Sequence, residues 1–198
     1  VAGHETTSTL MTWTIYCLTQ NPEILLKLQN EIDSVLNGRP PTSETLSSLI
    51  YTEAVLKESL RVYSPVPNLL RKCVNENTVV ADDGKQIFIR KDTEILLDFY
   101  TLHHSEKYWP DPFKFDPTRF LLNENSTGVQ SNIFFPFSTG TRSCIGQGFA
   151  MIEAKIMLSL IIQQFEFTLI PGQKFIPEIV VTMRPKDGVW VRMKSRQY

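Results

Sequence analysis

The chain has 198 residues, with 20 basic and 21 acidic side chains and a net charge of -1, so it shows no basic excess or stripe of the kind nucleic-acid binding needs. Hydrophobic content of 42% with 12 Phe specifies a packed core rather than a disordered chain. The three cysteines, Cys17, Cys73 and Cys144, are odd in number, widely spaced and free of any C-x-x-C pair, which argues against a disulfide framework or a zinc site.

In chain order, residues 1–19 read as a helix that is apolar or small on most sides, with Leu10, Met11, Thr14, Cys17 and Leu18 on one stripe. Such a helix is a buried one, and Cys17 on its stripe reads as a small buried hydrophobe. Val1-Ala2-Gly3-His4 begins inside this helix without an initiator Met, signal peptide or anchor, so a fragment lacking its N-terminal part is expected. Asn21-Pro22 supplies a cap followed by proline at the first helical position. The next helix carries Leu25, Leu28, Ile32, Val35 and Leu36 on one face and stops at Asn37-Gly38. After the rigid Pro40-Pro41 break, a short helix is expected at Ser43-Glu44 and a longer one over 50–62, stopped by Ser64-Pro65.

From 68 to 99 the texture changes. Residues 78–80, 86–89 and 93–97 are strand-like runs divided by Asp82-Asp83-Gly84 and Arg90-Lys91-Asp92 turns. Residues 105–136, rich in proline, aromatics and polar groups, read as an irregular meander, within which the sequon Asn125-Ser126-Thr127 marks a surface loop. Residues 145–164 form a strong helix, with Phe149, Ile152, Ile156, Leu160 and Ile161 among its apolar positions. Short strands follow around Pro171-Gly172.

Phe137-Ser138-Thr139-Gly140-Thr141-Arg142-Ser143-Cys144-Ile145-Gly146 is the most informative stretch. Nearby positive charge and a helix N-terminus favour a thiolate, and Arg142 and the following helix supply both. Gly140 and Gly146 permit close backbone approach, which a flat macrocycle lying on the loop requires. A thiolate presented to a haem iron suits oxygen-activating chemistry. A buried structural thiol and a nucleophile are the alternatives; the second needs a base, and none of His4, His103 and His104 suggests a specific pairing.

Two further clusters stand with it. Glu58 and Arg61 lie three apart on one helix face; alone they read as a solvated pair contributing ~0–1 kcal/mol. Arg119, in Asp116-Pro117-Thr118-Arg119-Phe120, can complete a buried Glu-Arg-Arg network that fixes the meander. Ala2-Gly3-His4-Glu5-Thr6-Thr7 sets small residues, an acid and two hydroxyls on a helix, where Thr can bond back to a carbonyl and loosen the ladder. A distortion there opens a groove beside a cofactor; the bland reading is a helix start with Thr caps.

In this order and at these separations, the motifs resemble those of the cytochrome P450 family across essentially the whole chain. Ala2 to Thr7 resembles the family's oxygen-activation motif, Glu58-x-x-Arg61 its helix motif, Asp116 to Phe120 its arginine motif, and Phe137, Gly140, Arg142, Cys144 and Gly146 its haem-binding loop. The implied fold class is mainly α with small β-sheets (α+β), with 1–198 as the C-terminal part of a single domain. That part would hold the central helix end, the Glu-x-x-Arg helix, the meander, the Cys loop and the following helix.

The resemblance also implies roles. Cys144 would be the axial ligand of haem b, its electron donation favouring O–O cleavage, with Phe137 shielding the sulfur. Arg71 and Arg142 would pair with the propionates, with a further contact from His103. Gly140 and Gly146 would shape the loop. Thr6, assisted by Glu5, would deliver protons to dioxygen, where excess water diverts the reaction into peroxide. Glu58, Arg61 and Arg119 would be structural. Substrate contacts would come from Ala2, from Val66, Asn68, Leu69 and Leu70, and from Val180, an apolar set suited to a lipophilic molecule.

Electrons would come from NADPH through a flavoprotein reductase. The enzyme would sit at the cytosolic face of the endoplasmic reticulum membrane through an N-terminal anchor outside this chain. Within the family, Phe135-Pro136-Phe137-Ser138, Arg142 to Gln147 and Pro171-Gly172-Gln173 look most like cholesterol 24-hydroxylases, with fatty-acid hydroxylases and drug- or steroid-oxidising enzymes as near alternatives.

Two rivals remain at this point. One is a fatty-acid hydroperoxide isomerase or dehydratase, for which Glu5-Thr6-Thr7 would be superfluous. The other is a truncated product that retains no haem and exposes apolar surface along residues 1–19.

Overall fold

A computed structural model describes residues 2–121 and 132–196; the sequon at Asn125 lies outside them. Six helices and eight short strands are present among the described residues, in a mainly helical α+β arrangement. Helices α1 (Ala2–Gln20), α2 (Pro22–Leu36), α4 (Ile50–Val62) and α6 (Gln147–Gln164) pack around one core, in which Leu28, Ile32, Val55, Leu56, Leu158 and Ile162 are fully buried. The stripe expected on α1 is the face it buries. Asn37 and Gly38 end α2 with positive φ, the left-handed stop that such residues accept most readily.

Helix α3 (Ser43–Ser48) starts on a Thr42 capping box. Helix α4 has no cap of its own. The Glu31 carboxylate of α2 accepts instead from the N–H groups of Tyr51 (2.6 Å) and Thr52 (2.7 Å) and from the Thr52 hydroxyl (2.7 Å). An anion is thereby placed on a helix N-terminus.

The strands form antiparallel pairs: β1 (Asn68–Lys72) with β4 (Glu94–Asp98), β2 (Asn77–Val80) with β3 (Gln86–Ile89), β5 (Phe165–Leu169) with β8 (Val191–Ser195), and β6 (Pro177–Ile179) with β7 (Met183–Pro185). Three features differ from the sequence reading. Residues 68–72, outside the runs read as strand-like, form a strand in register with β4 at Leu69↔Leu97 and Arg71↔Ile95. Short helix α5 (Phe99–His103), capped by Asp98, precedes the meander. On α6 the buried positions are Ala154, Lys155, Leu158, Ser159, Ile162 and Gln163, whereas Phe149 and Ile152 are exposed. A helix apolar all round carries no period to say which face turns inward.

Among the described residues, the large apolar side chains left exposed are not on α1. They include Ile145, Phe149 and Ile152 at α6 and Ile179, Val180 and Val181 at the β6–β7 turn. The expectation of an exposed apolar face along residues 1–19 is therefore corrected. Among the described residues no helix is long and apolar enough to cross a membrane.

Candidate haem site

The meander is fastened to α4 by its buried ion network. Arg61 Nε donates to Glu58 Oε2 and Nη2 to Oε1, both at 2.8 Å. Its remaining N–H groups reach the carbonyls of His103 (2.7 Å), Pro112 (2.7 Å) and Lys114 (3.2 Å). Glu58 also accepts from the Asp116 N–H at 2.9 Å and lies 3.4 Å from Arg119 Nε, while Arg119 Nη2 donates to the Asp111 carbonyl. Burial pushes the Glu58 carboxyl upward, opposed by Arg61, the Asp116 N–H and Arg119. The three residues named from sequence thus meet, and one guanidinium ties α4 to the end of α5 and to the 111–114 turn.

Cys144 follows the meander. Its N–H donates to the Phe137 carbonyl at 2.9 Å, closing a loop in which Ser138 (φ 61) and Gly140 (φ 76) take left-handed conformations. Ser143 N–H donates to the Gly140 carbonyl, and α6 begins three residues beyond the cysteine. A Cβ on Gly146 would lie 3.8 Å from the Cys144 sulfur, so the chain passes close beside the thiol. Cys144 itself is exposed, unlike buried Cys17.

A cavity of about 520 Å³ lies between this loop and α1. Ala2, Gly3, Thr6, Thr7 and Leu10 line it from α1; Val66, Leu69 and Arg71 from the α4–β1 segment; Phe137, Arg142, Cys144 and Gly146 from the loop. Thr7 and Leu10 are four residues on from Gly3 and Thr6, which is why one helix face delivers all of them. The Thr6 hydroxyl donates to the Ala2 carbonyl at 2.9 Å, and the buried Thr7 hydroxyl has no partner among the described residues. Helix α1 nevertheless stays α-helical throughout Ala2–Gln20, without the local distortion that its hydroxyls suggested.

Other expected residues stand outside the lining. Strand alternation turns Leu69 and Arg71 inward but Asn68 and Leu70 outward, with Leu70 66% exposed. Val180 sits on the exposed β6–β7 turn. Gly140 shapes the loop from outside the cavity wall. Glu5 turns away, its Oε1 accepting from Thr182 Oγ1 at 3.0 Å.

His103 is fully buried within the meander packing, its Nε2 accepting from the Phe135 N–H at 3.1 Å. That position, off the cavity wall, is at odds with the propionate contact expected of it. Burial, with Arg61 nearby, lowers its pKa from 6.5 to about 3. Lining residues not anticipated from sequence include Leu60, Phe99 and Phe149; none of them is a motif position, and only the fold gathers them.

Among the described residues no cluster of three His, Cys, Asp or Glu side chains could hold a bare metal ion. One thiol beside an apolar cavity suits an iron whose other ligands arrive with a macrocycle. Arg71 and Arg142 line the same cavity, and neither forms an ion pair with a described residue. Two unpaired guanidinium groups fit two carboxylate arms. The residues present therefore fit haem.

The cytochrome P450 family profile matches residues 1–190. The chain belongs to the cytochrome P450 family. It is 39% identical over 196 residues to a Mycobacterium tuberculosis protein designated cytochrome P450 132, covering 99% of this chain and 41% of that protein. Human cytochrome P450 4V2 is 38% identical over 197 residues (98% of this chain, 36% of the relative), and mouse cytochrome P450 3A16 is 38% identical over 201 residues (95% and 39%). The chain spans about two fifths of the length of these P450 relatives.

Proposed function

We propose that the full-length protein is a haem-thiolate monooxygenase that inserts one atom of dioxygen into a lipophilic substrate. The observation that carries this reading is Cys144 on the wall of a mostly apolar cavity, facing a helix that presents Thr6. Haem, when bound, supplies the activation of dioxygen. Cys144 would hold the iron, and Phe137, which opens the same loop and accepts from the Cys144 N–H, would shield the sulfur. Arg71 and Arg142, both on the cavity wall, would receive the propionates. Thr6 holds a proton at Oγ1 on the cavity wall, and Glu5, its neighbour on α1, resupplies it from the helix's other side. The Glu58, Arg61 and Arg119 network keeps the Cys loop in place.

Electrons come from NADPH through a flavoprotein reductase, and the enzyme works at the cytosolic face of the endoplasmic reticulum membrane. Residues 1–198 make the C-terminal part of its single domain. The apolar lining by Ala2, Val66 and Leu69 supports a lipophilic substrate. A sterol such as cholesterol is favoured over a fatty acid, on the likeness of the 135–147 segment to cholesterol 24-hydroxylases. The test is a product screen of the full-length protein with reductase, NADPH and isotopically labelled dioxygen against sterols and fatty acids. A hydroxylated sterol carrying one labelled oxygen supports the reading. Turnover of a fatty-acid hydroperoxide alone, with none under those conditions, overturns it.

A further inference from the structure

Glu5 and Thr6 are sequence neighbours, yet they are held in different directions. Successive helical residues project ~100° apart. Thr6 lines the cavity with its hydroxyl on the Ala2 carbonyl, whereas Glu5 is taken by the hydroxyl of Thr182 at the start of the β6–β7 return. Thr182 is only 2% exposed, and its Oγ1 lies 3.4 Å from that of Thr9, itself 5% exposed. With the Thr182 proton given to Glu5, its oxygen accepts from Thr9. The chain runs Thr9 to Thr182 to Glu5.

The neighbouring backbone cannot drift from this arrangement easily. Met183 accepts at its carbonyl from Trp13 Nε1 (2.8 Å) on α1, and its N–H donates to the Pro65 carbonyl (2.9 Å). Thr182 is thereby fixed against α1 on one side and against the cavity's 65–66 segment on the other. Most buried hydroxyls are hydrogen-bonded, and here the partner is a half-buried carboxylate one residue from the cavity wall.

We infer that Thr182 is the positioning residue for Glu5, anchoring one carboxylate oxygen through the Thr9–Thr182 chain so that Glu5 Oε2 stays available to pass protons toward Thr6. This rests on the proton-delivery role proposed above for Glu5 and Thr6. Without the anchor, Glu5 samples other rotamers and proton delivery loses its order. More dioxygen then leaves as hydrogen peroxide, with two electrons and two protons, and less oxygen enters the substrate.

The test uses the full-length haem-loaded protein with reductase, NADPH and dioxygen, comparing Thr182→Val, Thr182→Ser, Thr6→Ala and the unaltered enzyme. The expected result is a several-fold rise in peroxide per NADPH for Thr182→Val, with KM little changed, and near-complete rescue in Thr182→Ser. Independently of turnover, Thr182→Val should lower the melting temperature in the parent background and lower it by less in a Glu5→Ala background, where only the Thr9 contact is left to lose. An unaltered peroxide share in Thr182→Val, alongside a raised one in Thr6→Ala, overturns the anchor alone. No change in Thr6→Ala overturns the proton-delivery reading beneath it. A Ser variant as impaired as Val also overturns the anchor, since the hydroxyl would not be what matters.

Discussion

Arg61 and Glu58 meet as a two-point fork, Nε to Oε2 and Nη2 to Oε1, both 2.8 Å, with neither side chain exposed. The same guanidinium stacks 5.1 Å from the Trp109 ring and takes up three carbonyls of the meander. Removing one partner of a buried pair strands the other. Arg61→Ala should therefore cost about 3–5 kcal/mol of stability in the full-length protein. Arg61→Lys should be scarcely better, because an ammonium cannot serve so many fixed acceptors. Chemical denaturation and the haem-to-protein ratio would show both effects together, since the meander carries the Cys loop.

Glu31 provides a contrasting case, far from the cavity. Its carboxylate is the only side-chain cap α4 has among the described residues. Glu31→Ala should destabilise by about 1–2 kcal/mol, and Glu31→Gln by less, since an amide oxygen still accepts. Haem spectra of the folded fraction should be unchanged.

The two loop glycines should separate conformation from contact. Gly140 sits at φ 76 with open space where a Cβ would go, so Gly140→Ala carries a purely backbone penalty of about 1–2 kcal/mol. Gly146 has an ordinary φ, and its added methyl would stand 3.8 Å from the Cys144 sulfur. Gly146→Ala should leave stability nearly intact but shift the Soret band, by placing an apolar group against the ligand. Melting curves and absorption spectra of the two variants distinguish the effects.

His103 makes stability depend on pH. Its pKa is lowered from 6.5 to about 3 in the fold, so below pH 6.5 the unfolded chain takes up a proton that the folded one refuses. Stability is present above 6.5 and falls as pH drops toward 3. Between pH 6.5 and 4.5 the unaltered protein should lose roughly 2–3 kcal/mol more than a His103→Gln variant. Parallel denaturant titrations at those two pH values measure the difference.

Much of the fold is legible in the sequence because local signals coincide with tertiary demands. Asn21-Pro22 and Asn37-Gly38 bracket α2, and the stripe Leu10 to Leu18 is the face α1 buries. Strand β1 is not legible. Asn68-Leu69-Leu70-Arg71-Lys72 has no β-branched residue, and its partner β4 lies some 25 residues on, so only the long-range ladder makes it a strand. That omission misdirected two of the expected cavity residues, Asn68 and Leu70, to the outer face. The site was more legible than its walls. Cys144, Arg142 and Thr6 stand in recognisable motifs, while Phe99, Phe149 and the Thr182 contact to Glu5 depend on packing between segments remote in sequence.

Cys144 as the iron ligand is open to one decisive measurement, the ferrous–carbonyl difference spectrum of the full-length protein and its Cys144→Ser variant. The account predicts a Soret band at about 450 nm in the unaltered protein and its absence in the variant. An equal band in both, or none in either at full haem occupancy, would contradict it.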